Sequence, residues 1–218
     1  MSADAFVHPD EIRSMFSGAM SDMYRAEVPQ YGTLMELVSD INQEKLAADP
    51  VLRDGLVRSD DLDRIDLERH GAIRLGKPEE LFNMRRLFAV MGMHPVGYYD
   101  LSVAGVPVHS TAFRPIDDDA LRRNPFRVFT SLLRLELIED AQLRTEAEAI
   151  LAKREIFTPD ALKLIYLAEK NGGLDRVQAE QFVAEALETF RWHSDATVSL
   201  ETYQKLHDAH RLIADVVC

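Results

Sequence analysis

Cysteine is almost missing. One occurs in 218 residues, at the last position, Cys218. That excludes a disulfide framework and a cysteine-based zinc site, and a catalytic cysteine is not expected at the last position. A reducing, cytoplasmic setting fits. Basic charge is also short: 25 Lys and Arg stand against 37 Asp and Glu, a net charge of −12. A general nucleic-acid or anionic-membrane surface needs a basic patch, so both partners are excluded. Small anions are not, since one arginine can hold a carboxylate. Long apolar runs are absent, and residues 87–93 are a typical short one. A bilayer span needs about 20 such residues. The first residues carry acid where a signal peptide needs base. A soluble intracellular protein is expected. The chain lacks the phosphate-cradling G-x-x-x-x-G-K-[ST] and G-x-G-x-x-G patterns and the G-x-S-x-G nucleophile elbow. What is present is 46% hydrophobic residues, enough for a substantial core.

Three stretches differ in pattern. Residues 1–68 read as helical. Pro9 and Asp10 open a run with Ile12, Phe16, Met20 and Met23 at helical spacing; after Pro29, Leu34, Leu37, Val38 and Ile41 form a second. Asp49-Pro50 marks a break, and residues 58–66 read as a charged connector or short helix. Residues 69–137 alternate between strand and helix signals. A strand over 70–75 is followed by a helix from Pro78, with Glu79 and Glu80 at its positive end and Gly92 as its stop. Strands over 95–101 and 106–113 flank Ala104-Gly105, a hairpin signal. A polar connector with Asp117, Asp118, Asp119, Arg122 and Arg123 leads to an apolar run over 126–137. Its apolar residues fall on both faces, which predicts a strand buried on both sides. Residues 138–218 return to helix. Thr158-Pro159-Asp160 is a start signal and Asn171-Gly172-Gly173 a stop. Residues 194–199 precede a last helix carrying Tyr203, Leu206, His210, Ile213 and Val217. The order strand-helix-strand-strand-strand between helical segments makes this an α+β protein.

The strand His70-Gly71-Ala72-Ile73-Arg74-Leu75 holds the most chemistry. Side chains alternate, so His70, Ala72 and Arg74 share one face. The two Cα atoms of His70 and Arg74 lie about 13 Å apart, and Arg74 can lean back over the small Ala72. An imidazole for a divalent metal and a guanidinium for a carboxylate then face one small space. By spacing alone, a surface histidine and an arginine paired with acid is the favoured reading. The other histidines carry less. His109 reads as a hydrogen-bonded sheet residue, and His94 as the start of a strand. His207 and His210, three apart on a helix, match no known zinc pattern, and His8 and His193 flank helices.

The stretches Arg69-His70-Gly71-Ala72-Ile73-Arg74-Leu75-Gly76, Met91-Gly92-Met93-His94-Pro95-Val96-Gly97-Tyr98-Tyr99-Asp100-Leu101 and His109-Ser110-Thr111-Ala112-Phe113-Arg114-Pro115 change that balance. They resemble the 2-oxoadipate dioxygenase/decarboxylase, or 2-hydroxyglutarate synthase, family. The resemblance implies a βαβββ module similar to the vicinal-oxygen-chelate fold. It implies an iron(II) enzyme of lysine catabolism that converts 2-oxoadipate and O2 to 2-hydroxyglutarate and CO2. On this sequence the family's metal histidine falls on His70 and its 2-oxo acid arginine on Arg74, so that both residues face the substrate. The other two ligands, a histidine and a glutamate, belong to a second module. The chain is therefore expected to be the N-terminal portion, with the C-terminal half of the same enzyme completing the metal site. A different class also uses this fold: non-catalytic proteins that enclose a small ligand.

Overall fold

The computed structural model describes residues 6–58, 62, 65, 70–192 and 197–218. His193 and most of the charged 58–66 connector lie outside the described residues. Three helices open the chain: α1 (Pro9–Glu27), α2 (Pro29–Ala48) and α3 (Pro50–Arg58). Each begins with proline, whose missing N–H costs nothing in a first turn. The His8 ring accepts a hydrogen bond from the Asp10 backbone N–H and so caps α1. Ile12, Phe16, Met20 and Met23 are buried, as their spacing predicts. The second run does form a helix, but no residue of α2 is fully buried, and Leu34, Leu37 and Ile41 stay exposed.

Next come β1 (His70–Leu75), α4 (Pro78–Val90), β2 (His94–Asp100), β3 (Val108–Arg114), α5 (Asp118–Arg123) and β4 (Arg127–Leu133). The four strands form one sheet in the order β1-β4-β3-β2, with β1 parallel to β4 and the other pairs antiparallel. The connector read as polar loop holds α5. The Asp117 carboxylate caps it by accepting from the Ala120 N–H, acids fill its first turn and arginines its last.

The expectation of a fourth strand buried on both sides is corrected. In β4, Val128, Thr130 and Leu132 are buried, whereas Arg127, Phe129 and Ser131 are partly exposed. Its apolar run also ends sooner, because residues Leu135–Leu137 turn into a 3-10 helix.

The chain closes with α6 (Ala141–Leu151), α7 (Pro159–Asn171), α8 (Arg176–Glu188), α9 (Leu200–Ala209) and α10 (Arg211–Val217). The single last helix is corrected to two. His210 is extended (φ −170°), and its Nδ1 accepts from the Leu212 N–H at 3.1 Å, capping α10. His207 and His210 thus do not share a helix face. Two cores result. The larger packs α1, α4, α7 and α8 on one sheet face, around Phe16, Phe88, Phe113, Phe126 and Phe182. The smaller gathers α6, α9 and α10 against Val108 and Leu133. All three stretches of the sequence contribute to these cores.

Candidate functional site

β1 is held by its inward residues. Gly71 and Leu75 are buried and Ile73 is half-buried, whereas His70, Ala72 and Arg74 are exposed. The space at Gly71 is tight: a Cβ there would stand 3.3 Å from Met20 Cε and from Val128 Cγ2. A larger residue would lift the strand off the core, and His70 and Ala72 with it.

Strand register shows what shares the face of His70 and Arg74. His70 stands beside Arg127, Ala72 beside Phe129, and Arg74 beside Ser131. From β4 the face continues through Ser110 and Ala112 of β3 to Tyr99 of β2. Contacts along it agree. Arg127 Nη2 is 3.4 Å from His70 Nε2, and its guanidinium lies 5.4 Å above the Phe129 ring. The Phe129 and Tyr99 rings are 6.5 Å apart. Ser110 Oγ and Ser131 Oγ hydrogen bond at 3.0 Å, so the floor is polar at the level of Arg74, and the next level toward His70 carries Ala72, Phe129 and Ala112.

At the far end of this face Arg74 meets α10. Its Nη2 is 3.8 Å from Asp215 Oδ2, and Arg154 donates to its carbonyl at 3.1 Å. The Arg74 side chain is 56% exposed, so the Asp215 pair is loose and worth little. A carboxylate ligand can compete for that guanidinium.

The remaining predicted positions disperse. His94 begins β2. His109 sits half-buried in β3, its ring 5.2 Å from that of Tyr98. His8 and His210 spend a ring nitrogen on helix caps. A cleft of about 780 Å³ opens at Val106, Pro107, Ile138 and Ile213, with Glu139, Asp140 and His210 on its rim, but it includes neither His70 nor Arg74. Among the described residues no three His, Cys, Asp or Glu side chains cluster to hold a metal ion. The imidazole of His70 suits a divalent iron, but one donor cannot retain it. Any donor set built on His70 has to be completed beyond the described residues.

Sequence reasoning missed Arg127, the Ser110–Ser131 pair and Asp215. The signal for Arg127 was there: Arg127, Phe129 and Ser131 recur at a period of two within the apolar run.

A family model described as 2-oxoadipate dioxygenase/decarboxylase matches residues 16–218. The chain belongs to that family. It is 64% identical over 217 residues to the 2-oxoadipate dioxygenase/decarboxylase of Pseudomonas putida, covering 100% of this chain and 47% of the relative. The crystal structure of the hydroxyglutarate synthase from Pseudomonas putida in complex with 2-oxoadipate superposes with a TM-score of 0.96 at 63% identity, over 99% of this chain and 48% of that one. A glyoxalase-superfamily protein from Ralstonia eutropha, 19% identical, shares the fold over 68% of this chain and 47% of its own, with a TM-score of 0.54. The family reading of the sequence and the α+β fold both stand. The chain spans about half the length of the curated relatives it matches. Among the described residues no helix is long and apolar enough to cross a membrane.

Proposed function

We propose that the full-length protein is an iron(II)-dependent dioxygenase that converts 2-oxoadipate and O2 to 2-hydroxyglutarate and CO2 in lysine catabolism, in the cytoplasm. The observation that supports this most is one open sheet face bearing both His70 and Arg74, in a chain of this family. The reaction balances without a further reductant. The 2-oxo acid supplies the electrons, its carboxylate leaves as CO2, and the shortened molecule keeps both oxygen atoms.

In this reading His70 is one iron ligand, and a second half, as long as that of the relatives, supplies the others. The iron, when bound, brings O2 and the 2-oxo acid together at one centre. This chain's residues do the rest. Arg74 takes a substrate carboxylate in a planar, bidentate grip that lysine would hold less rigidly. Asp215 yields the guanidinium when the carboxylate arrives. The serine pair offers hydroxyls to substrate oxygens, and Phe129 keeps part of the floor dry.

Oxygen uptake tests the proposal. Full-length protein reconstituted with iron(II) should consume one O2 per 2-oxoadipate, with 2-hydroxyglutarate identified by mass spectrometry. No uptake, with 2-oxoadipate bound unchanged, would instead identify a non-catalytic ligand-binding protein of this fold.

A further inference from the structure

Arg127 is a charged residue of the open face that the proposed chemistry leaves without a task. It stands directly across from His70, with Nη2 3.4 Å from the ring's Nε2. Other arginines in this acidic chain meet carboxylates: Arg13 with Asp10, Arg86 with Glu169, Arg134 with Asp100 and Glu136, Arg191 with Glu27. Arg127 makes no ion pair among the described residues. Its Nε is buried and has no hydrogen-bond partner there. A cationic donor removed from water without an acceptor is costly, and such groups call for an explanation. Its neighbours, an imidazole and the face of the Phe129 ring, hold the guanidinium in place without neutralising it.

We propose that Arg127 is a second carboxylate-binding residue of this site, and that it receives the carboxylate adjoining the keto group of a 2-oxo dicarboxylic acid. The inference rests on the functional reading above. If His70 is the metal ligand, the end of the substrate that must approach the metal lies beside Arg127. The other end then extends along β1, where Arg74 stands four residues on, about 13 Å away between Cα atoms. Arg127 and Arg74 frame a molecule with an anion at each end. Between their two levels lie Ala72, Phe129 and Ala112, and the polar Ser110–Ser131 pair stands level with Arg74. The two arginines thereby have separable tasks. Arg127 serves every 2-oxo acid, and Arg74 distinguishes a dicarboxylate from a monocarboxylate.

Binding without turnover separates these tasks. Full-length protein loaded with iron(II) is titrated under strict exclusion of oxygen with 2-oxoadipate and with 2-oxohexanoate, which lacks the far carboxylate. Arg127→Met should raise the Kd of both ligands by a similar factor of at least ten. Arg127→Lys should restore part of that loss. Arg74→Met should weaken 2-oxoadipate at least tenfold more than 2-oxohexanoate. Iron content and the thermal unfolding curve are recorded for each variant. Unchanged affinities in Arg127→Met would overturn the proposal. So would a loss confined to 2-oxoadipate, which would put Arg127 at the far carboxylate, or a loss of iron, which would make it a support for His70. Failure of the unmodified protein to bind either ligand would overturn the functional reading itself, and the arginine assignment with it.

Discussion

Arg13 lies fully buried in a chain whose other charges mostly face water. It survives there because each of its three nitrogens finds an acceptor. Nη1 donates to the Met91 carbonyl at 2.9 Å, Nη2 to that of Ala120 at 3.0 Å and Nε to that of Asn124 at 3.0 Å. Nη1 also meets Asp10 Oδ1 at 2.8 Å. One side chain therefore ties α1 to the end of α4 and to α5. Arg13→Met should lower unfolding free energy by roughly 2–4 kcal/mol in denaturant titration, because it leaves Asp10 with Arg123 as its one arginine partner and takes the side-chain donor from the Met91 and Asn124 carbonyls. A loss under 1 kcal/mol would show that the network is dispensable. Asp10 gives this cluster a pH signature. Burial opposes its ionisation, but Arg13 and Arg123 outweigh burial and hold the carboxyl below its usual range. A lowered folded-state pKa stabilises fully above the unfolded value, about 3.9, and the benefit fades as pH falls through the folded value. Asp10→Asn should accordingly lose less stability than the unmodified protein between pH 5 and pH 3. Parallel acid limbs would count against that coupling. None of this was legible in the sequence. No local pattern singles out Arg13, and its three carbonyl acceptors lie 78 to 111 positions away.

Elements were legible where a local signal decides their ends. The limits of β1 match the sequence reading at both residues, since the strand is short and Gly76, Lys77 and Pro78 bound it. α7 starts on the Thr158 cap and stops at Gly172 (φ +81°), as its flanking residues predict. The α9–α10 break was not legible, because the helical spacing continues through His210 and only the ring's own hydrogen bond interrupts it. β4 misled for another reason. Apolar content announced burial on both sides, while the tertiary arrangement leaves the Phe129 face open. Within the candidate site, the alternation of one strand put His70 and Arg74 on one face, and only the family resemblance gave them metal and substrate roles. Arg127 needed the β1–β4 pairing, a contact between positions 57 apart. The element that presents the site depends on Gly71. Gly71→Val adds bulk against Met20, Val128 and Phe126, and should cost about 1–3 kcal/mol in thermal or denaturant unfolding. The displaced strand should also carry His70 away from its position, seen as altered imidazole shifts in NMR spectra. A variant as stable as the parent would show that the strand has room to spare.

At the scale of the molecule, the sheet works as a two-sided partition. One side packs on α1, α4, α7 and α8 and supplies rigidity. The other is closed at one end by α6 and α10 near Val108 and Leu133 and stays open at His70, Arg127 and Phe129. Rigid backing behind an exposed polar face suits a site whose groups must hold their geometry before the ligand arrives. In the proposed reading, the space in front of the open face houses the further metal ligands that would join His70. The most direct test is the iron-to-chain ratio of the full-length protein after anaerobic loading and desalting, measured by elemental analysis beside His70→Ala. Close to one iron per chain is expected for the parent and close to none for the variant, with both folded by circular dichroism. Equal iron in the two proteins would contradict the ligand role of His70.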